Sequence, residues 1–283
     1  MSRSLLFVPG DSPRKFERAI AGEADGLVLD LEDSVAPDAK AAARGAVRKM
    51  LESNSRKQLW VRINPLDTEW AKGDLEAVIG AKPYGIVLPK PRGGVDVKRL
   101  ASLLEDFERK FDARPGTTKI LAIATETGEA MFGLGTYKDS SPRLWGLSWG
   151  AEDLAADIGT LTNRVEGRYT ETFRLARTLC LYGAAAAGVR AIDTVCVDLE
   201  NDAVVATESA EARRDGFVGK IAIHPKHIPA INAAFTPSAA ELDFARRIVA
   251  VFDANPNTGA FRLEGKMIDR PHLRAAKRLL GEG

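Results

Sequence analysis

Eight short apolar runs alternate with longer stretches of helical periodicity, and no strand-to-helix turn carries a Gly-x-Gly-x-x-Gly phosphate loop. That pattern predicts an α/β chain folded as a closed (β/α)8 TIM barrel rather than an open doubly wound sheet. The runs fall at residues 4–8, 26–31, 59–63, 85–88, 119–124, 144–148, 191–197 and 220–223, each ended by polar residues or by Gly and Pro. Helices are expected between them, among others at 13–21, 38–52, 97–111, 169–187 and 209–215. After the eighth run the rhythm changes. A helix at 227–234 meets Thr236-Pro237, a second helix is expected at 239–253, and the turn formers Asn255-Pro256-Asn257-Thr258-Gly259 precede a short hairpin or extended arm at 260–269 and a basic helix at 271–280. The expected division is a barrel at 1–235, carrying the chemistry, and a C-terminal helical and hairpin extension at 236–283.

The chain has 283 residues, enough for one barrel, since barrels run to roughly 250. Hydrophobic residues make up 45% and charged residues 28%, an ordinary balance for a folded domain. Forty basic against thirty-nine acidic residues give no electrostatic reason to expect nucleic acid or an anionic membrane as partner. Cys180 and Cys196 lie in apolar surroundings and read as buried thiols. With no signal-peptide pattern before Pro9-Gly10, the expected location is cytoplasmic.

In such barrels the side chains just past the strand ends gather at one mouth. Here they are heavily polar: Asp30, Glu32 and Asp33 after the second strand, Arg62 and Asn64 after the third, Lys90, Glu126, then Glu152 and Asp153. A hard dication such as Mg2+ takes oxygen ligands and keeps positions for water and substrate, so Glu126 and Asp153 are the expected pair. Each reads equally well as a strand-end acid or helix cap. Arg62 could grip a substrate carboxylate, or pair with the nearby acids. Three acids in four residues repel unless a cation lies among them, which favours a site. His224-Pro225-Lys226-His227 is disfavoured as a metal motif because proline breaks the helix that would align the histidines; Lys226 is a candidate phosphate contact. Trp145 and Trp149 read as core.

Taken in order, the segments Arg3-Ser4-Leu5-Leu6-Phe7-Val8-Pro9-Gly10-Asp11, Asp30-Leu31-Glu32-Asp33-Ser34-Val35, Val61-Arg62-Ile63-Asn64-Pro65, Leu88-Pro89-Lys90, Glu126-Thr127, Gly150-Ala151-Glu152-Asp153-Leu154, Ile223-His224-Pro225 and Gly265-Lys266-Met267-Ile268-Asp269 resemble the HpcH/HpaI aldolase and citrate lyase β-subunit family, especially its stand-alone members acting on CoA thioesters. The resemblance implies a carbon-carbon lyase with Mg2+, or Mn2+ in its place, on Glu126 and Asp153. It implies that Arg62 holds the oxo-acid part of the substrate and that Glu32 and Asp33 bind metal-coordinated waters. It further implies a homotrimer or multiple of one, in which the extension covers a neighbouring subunit's mouth and brings Asp269 to the reacting carbons. For the CoA part it suggests Ser12, Arg14 and Lys15 with Lys40 and Arg44. Malyl-CoA hydrolysis, aldol chemistry on free hydroxy-oxo-diacids, a carrier-dependent citrate lyase subunit and a silent scaffold stand as alternatives. One departure is Gly128-Glu129-Ala130 after the metal-binding Glu-Thr, where many relatives have Ala-Arg.

Overall fold

The computed structural model describes residues 2–53, 55–256 and 259–282, which form two compact units, Met1–Phe235 and Thr236–Gly283. In the first, eight parallel strands close a barrel: β1 (Ser4–Pro9), β2 (Gly26–Asp30), β3 (Gln58–Arg62), β4 (Gly85–Leu88), β5 (Lys119–Ile123), β6 (Leu144–Ser148), β9 (Arg190–Asp193) and β10 (Gly219–Ala222), with β10 pairing back to β1. Two two-residue strands, β7 (Arg164–Val165) and β8 (Arg168–Tyr169), make a small hairpin apart from the barrel. The helices of this unit are α1 (Pro13–Ala21), α2 (Lys40–Leu51), α3 (Trp70–Val78), α4 (Gly94–Lys110), α5 (Gly128–Gly133), α6 (Ala151–Asp157), α7 (Glu171–Ala187), α8 (Asp202–Asp215) and α9 (Ile228–Phe235).

Alternation along each strand sends one set of side chains inward and the other toward the helices. Leu5, Val28, Trp60, Val87, Leu121, Trp145, Ile192 and Ile221 fill the barrel, so the interior is a packed core. Trp60 lies edge-on to Trp145 at 5.0 Å, and Gly85 leaves the space that its ring occupies. Leu6, Leu27, Leu29, Val61 and Leu147 join the larger cluster under the helices, where Cys180 and Cys196 are also buried.

The seventh barrel strand, expected to reach 197, stops at Asp193. The pairing stops here on both sides: β6 ends at Ser148, opposite Ile192, and the ladder to β10 ends with Lys220 opposite Asp193. The helix expected from 209 begins at Asp202, because the Asn201 side chain accepts the Ala203 N–H and caps it. His227 is fully buried with Nε2 3.1 Å from the Asp198 carbonyl, a structural role.

The second unit has its own core of Ala245, Ile248, Phe252, Ile268 and Ala276. Helix α10 (Ala239–Ala254) starts at a capping box in which Ser238 and Glu241 satisfy each other's backbone N–H groups. Strands β11 (Ala260–Leu263) and β12 (Lys266–Asp269) join through Glu264 and Gly265, both at positive φ, as a two-residue hairpin turn requires. Helix α11 (Arg270–Leu280) follows. Asn257 and Thr258 of the expected turn cluster lie outside the described residues. Among the described residues no helix is long and apolar enough to cross a membrane.

At the end of the barrel opposite the mouth, Glu108 accepts from both terminal nitrogens of Arg143, at 2.8 and 2.7 Å, and from the N–H groups of Gly116 and Thr118. Burial alone would raise its carboxyl, but Arg143, Thr118 and Gly116 together hold it down at about 2, below the ordinary 4.5. The shift is worth up to about 3 kcal/mol of stability at neutral pH. Because the folded-state value is depressed, that contribution is present above the unfolded value of 4.5 and is lost as pH falls toward 2. Glu108→Gln leaves the Arg143 charge buried, and denaturant titration at pH 7 should register a loss of about 3 kcal/mol. The gap from the unaltered protein should narrow on titration to pH 3; a gap constant with pH would show that the pair contributes no linkage.

Candidate active site

Asp30 and Arg62 are cross-strand partners at the last rung of β2 and β3, and they meet through two hydrogen bonds of 2.7 Å each, from Nε and Nη2. This fork fixes the guanidinium plane, which also lies over the Phe7 ring at 4.6 Å. Burial opposes charge on both groups, yet Arg62 keeps the Asp30 carboxyl below its ordinary range, and Asp30 raises the guanidinium in turn. Arg62 Nη1 then stands 2.9 Å from Glu32.

Glu32 is nearly buried, and its loop is braced from behind. The Lys40 ammonium donates to the carbonyls of Leu31 and Glu32 at 2.9 Å each, and Asn64 Nδ2 donates to Leu31 O at the same distance. Asp74, fully buried on α3, accepts from Asn64 and from Arg44 Nε. Lys40, expected beside the CoA part, has its ammonium buried here and donating to backbone. Arg44 donates to Asp74 and to Trp70 O, across Gly73, so it serves the same brace. Ser12 sits at the N-terminus of α1 with Arg14 and Lys15 exposed on its first turn. Lys226, a candidate phosphate contact, pairs with Asp202 and donates to Leu199 O.

The remaining acids converge on Lys90, whose φ of 48° is unusual for a residue with a side chain. Its backbone N–H donates to Glu126 at 2.6 Å, while its ammonium reaches Glu32 at 2.6 Å, Asp153 at 2.9 Å and Asp33 at 3.4 Å. Glu126 is 2% exposed. Burial, then the charges of Asp153 and Glu32, push its carboxyl well above the usual range, with Lys90 acting in the opposite direction. Burial also raises Glu32, against the pull of Arg62 and Lys90. A carboxylate so placed is short of positive charge. Among the described residues no group of three or more His, Cys, Asp or Glu is arranged to hold a metal. Glu126 and Asp153 nonetheless offer the oxygen ligands that Mg2+ takes, an ion commonly held by one or two protein carboxylates.

Gly150 lets Glu126 take its place, since a Cβ there would lie 2.6 Å from Glu126 Cγ. The loop leading to Asp153 starts from Trp149, and Trp149 belongs to a closed ring of contacts. Its Nε1 donates to Asp193 at 2.7 Å, Lys220 bridges Asp193 at 2.7 Å and Glu208 at 3.2 Å, Arg164 pairs with Glu208, and Tyr169 lies between Arg164 and Trp149. Gly128-Glu129-Ala130 opens α5, with Gly128 N–H donating to Asp157 at 2.7 Å, and Glu129 lines a recess beside Lys90. In the second unit Asp269 caps α11 and contacts His272 Nδ1 at 2.6 Å, a hydrogen bond that holds its carboxyl below the ordinary range.

The barrel gathers acids and bases from five successive strand ends at one mouth, where the catalytic groups of barrel enzymes are placed. Residues 3–225 match the family described as HpcH/HpaI aldolase/citrate lyase, and the chain belongs to it. It is 33% identical to a (3S)-malyl-CoA thioesterase of Cereibacter sphaeroides, over 99% of this chain and 94% of the relative. Its identity to the citrate lyase subunit beta of Escherichia coli is 35%, over 98% and 92%. Among solved structures it is similar to the protein CitE of Mycobacterium tuberculosis in complex with magnesium, acetoacetate and coenzyme A, with a TM-score of 0.81 and 33% identity over 99% of this chain and 97% of that one.

Lys90 as the hub of the acids, and the Lys40–Asn64–Asp74 brace, were not anticipated. The signal for the brace was Asp74 itself, an acid three residues after Ala71 and four before Val78 on the apolar stripe of α3. The variant Gly150→Ala should displace the Glu126 side chain by about 1 Å, because packed interiors do not absorb such a clash. A crystal structure of the variant checks this, and an unmoved Glu126 would show that the segment 149–153 yields instead.

Proposed function

We propose that this chain is a Mg2+-dependent carbon-carbon lyase that cleaves or forms a 3-hydroxyacyl-CoA, such as citramalyl-, malyl- or citryl-CoA, giving a 2-oxo acid and acetyl-CoA. The observation that carries the reading is the buried Glu126 carboxylate facing the charges of Asp153 and Glu32. Glu126 and Asp153 are the residues that would hold the ion, with Mn2+ as an alternative. When bound, the ion supplies Lewis-acid polarisation of the substrate's oxygens. The complex of CitE with magnesium, acetoacetate and coenzyme A supports extending both ligand classes to this relative.

The residues' own work follows from their placement. Asp30 takes two of the five donors of Arg62, which leaves others for a substrate carboxylate held in a fixed plane. Glu32 and Asp33 hold water at the mouth, and the 3-hydroxyl proton leaves to a base. The bond between the hydroxyl-bearing carbon and the thioester α-carbon then breaks, and its electron pair passes to the thioester as an enolate. Asp269, brought by the extension of a neighbouring subunit in a homotrimer or multiple of one, is the acid or base beside the reacting carbons: its carboxyl, held low by His272, takes up a proton before returning it to the enolate to complete acetyl-CoA. Ser12, Arg14 and Lys15 flank the CoA part. The reading places the enzyme in the cytoplasm.

Hydrolysis of malyl-CoA is the second reading, favoured by the similarity to the thioesterase. The similarity to a citrate lyase subunit keeps a carrier-bound thioester in view. Purified protein with Mg2+ should be assayed on (S)-citramalyl-CoA, both malyl-CoA enantiomers and citryl-CoA. Formation of pyruvate, glyoxylate or oxaloacetate with acetyl-CoA, abolished by EDTA, is the expected result; free CoA with an intact hydroxy acid would instead establish the thioesterase. Glu126→Ala should lower turnover at least about a hundredfold, and a full rate in that variant would remove the metal assignment.

A further inference from the structure

Lys90 puts an ammonium among the acids that the proposed Mg2+ would join, at 2.6 Å from Glu32, 2.9 Å from Asp153 and 3.4 Å from Asp33. Its side chain is only 28% exposed. A dication arriving at Asp153 therefore meets a positive charge already on that carboxylate, and like charges a few ångströms apart repel strongly away from bulk water. The two contacts that Lys90 makes with the proposed ligands are also chemically separate. The backbone N–H serves Glu126, and the ammonium serves Asp153.

Resting on the Mg2+ reading above, we propose that the Lys90 ammonium is a built-in counter-cation, holding the acids of the mouth together in the metal-free protein and competing with the divalent ion for them. It sets metal affinity below what the carboxylates alone would give. Replacing the side chain removes the charge while the N–H to Glu126 stays, so the effect on affinity is one of charge rather than of lost ligand geometry.

The test is calorimetric titration of Mg2+ into the unaltered protein, Lys90→Met, Lys90→Gln and Lys90→Arg, with thermal melting in EDTA and in Mg2+. Removing the charge should tighten Mg2+ binding at least about fivefold, the lower end of typical coupling between two sites. The neutral variants should melt lower in EDTA and gain more on adding Mg2+, while Lys90→Arg, which keeps the charge, stays near the unaltered protein. Equal or weaker Mg2+ binding in a folded neutral variant overturns the inference while leaving the metal reading intact. If Lys90→Met does not fold, Lys90→Gln is read in the same way. Absence of Mg2+ binding by the unaltered protein overturns the metal reading and this inference with it.

Discussion

Everything at the mouth depends on compensating negative charge. Asp30, Glu32 and Glu126, all buried, stand with the more exposed Asp33 and Asp153 around two cations, Arg62 and Lys90, and for the buried three an unpaired carboxylate is costly. The barrel makes this crowding possible because neighbouring parallel strands end side by side, and side chains distant in sequence meet within hydrogen-bonding range. The charge imbalance left at Glu126 is the physical reason the site favours a positive ligand.

Around that core the chain has built a brace of ionic groups behind the mouth. Lys40, Asn64, Asp74 and Arg44 hold the carbonyls behind Glu32, and the ring from Trp149 through Lys220 to Tyr169 holds the loop that leads to Asp153. Both devices use ionic groups where a soluble protein would ordinarily place apolar ones. They fix direction more than they add stability, since a buried pair gains little over a hydrophobic substitute.

The barrel was legible from the order of apolar runs, and the acids and bases of the mouth from their position past those runs. Partner choice was not. Arg62 was readable as a substrate clamp or an ion-pair partner, and only the register that sets Asp30 opposite it shows that one carboxylate holds its plane. Lys40 was expected at the CoA part because nothing local marks a lysine whose ammonium folds back under the preceding loop. The end of β9 was out of reach for a different reason: a strand ends where its pairing with neighbours ends, which is not a local property. The Arg164–Tyr169 hairpin is too short to show any two-residue period.

The left-handed backbone at Lys90 lets one residue act on Glu126 and on Asp153 by independent means, the first through an atom that nearly every amino acid possesses and the second through an atom unique to its side chain. Evolution can therefore alter the electrostatic setting of this mouth by a single codon change without disturbing the orientation of Glu126. In a family whose members differ in substrate, such a position allows ion retention to drift separately from the architecture that holds the ion.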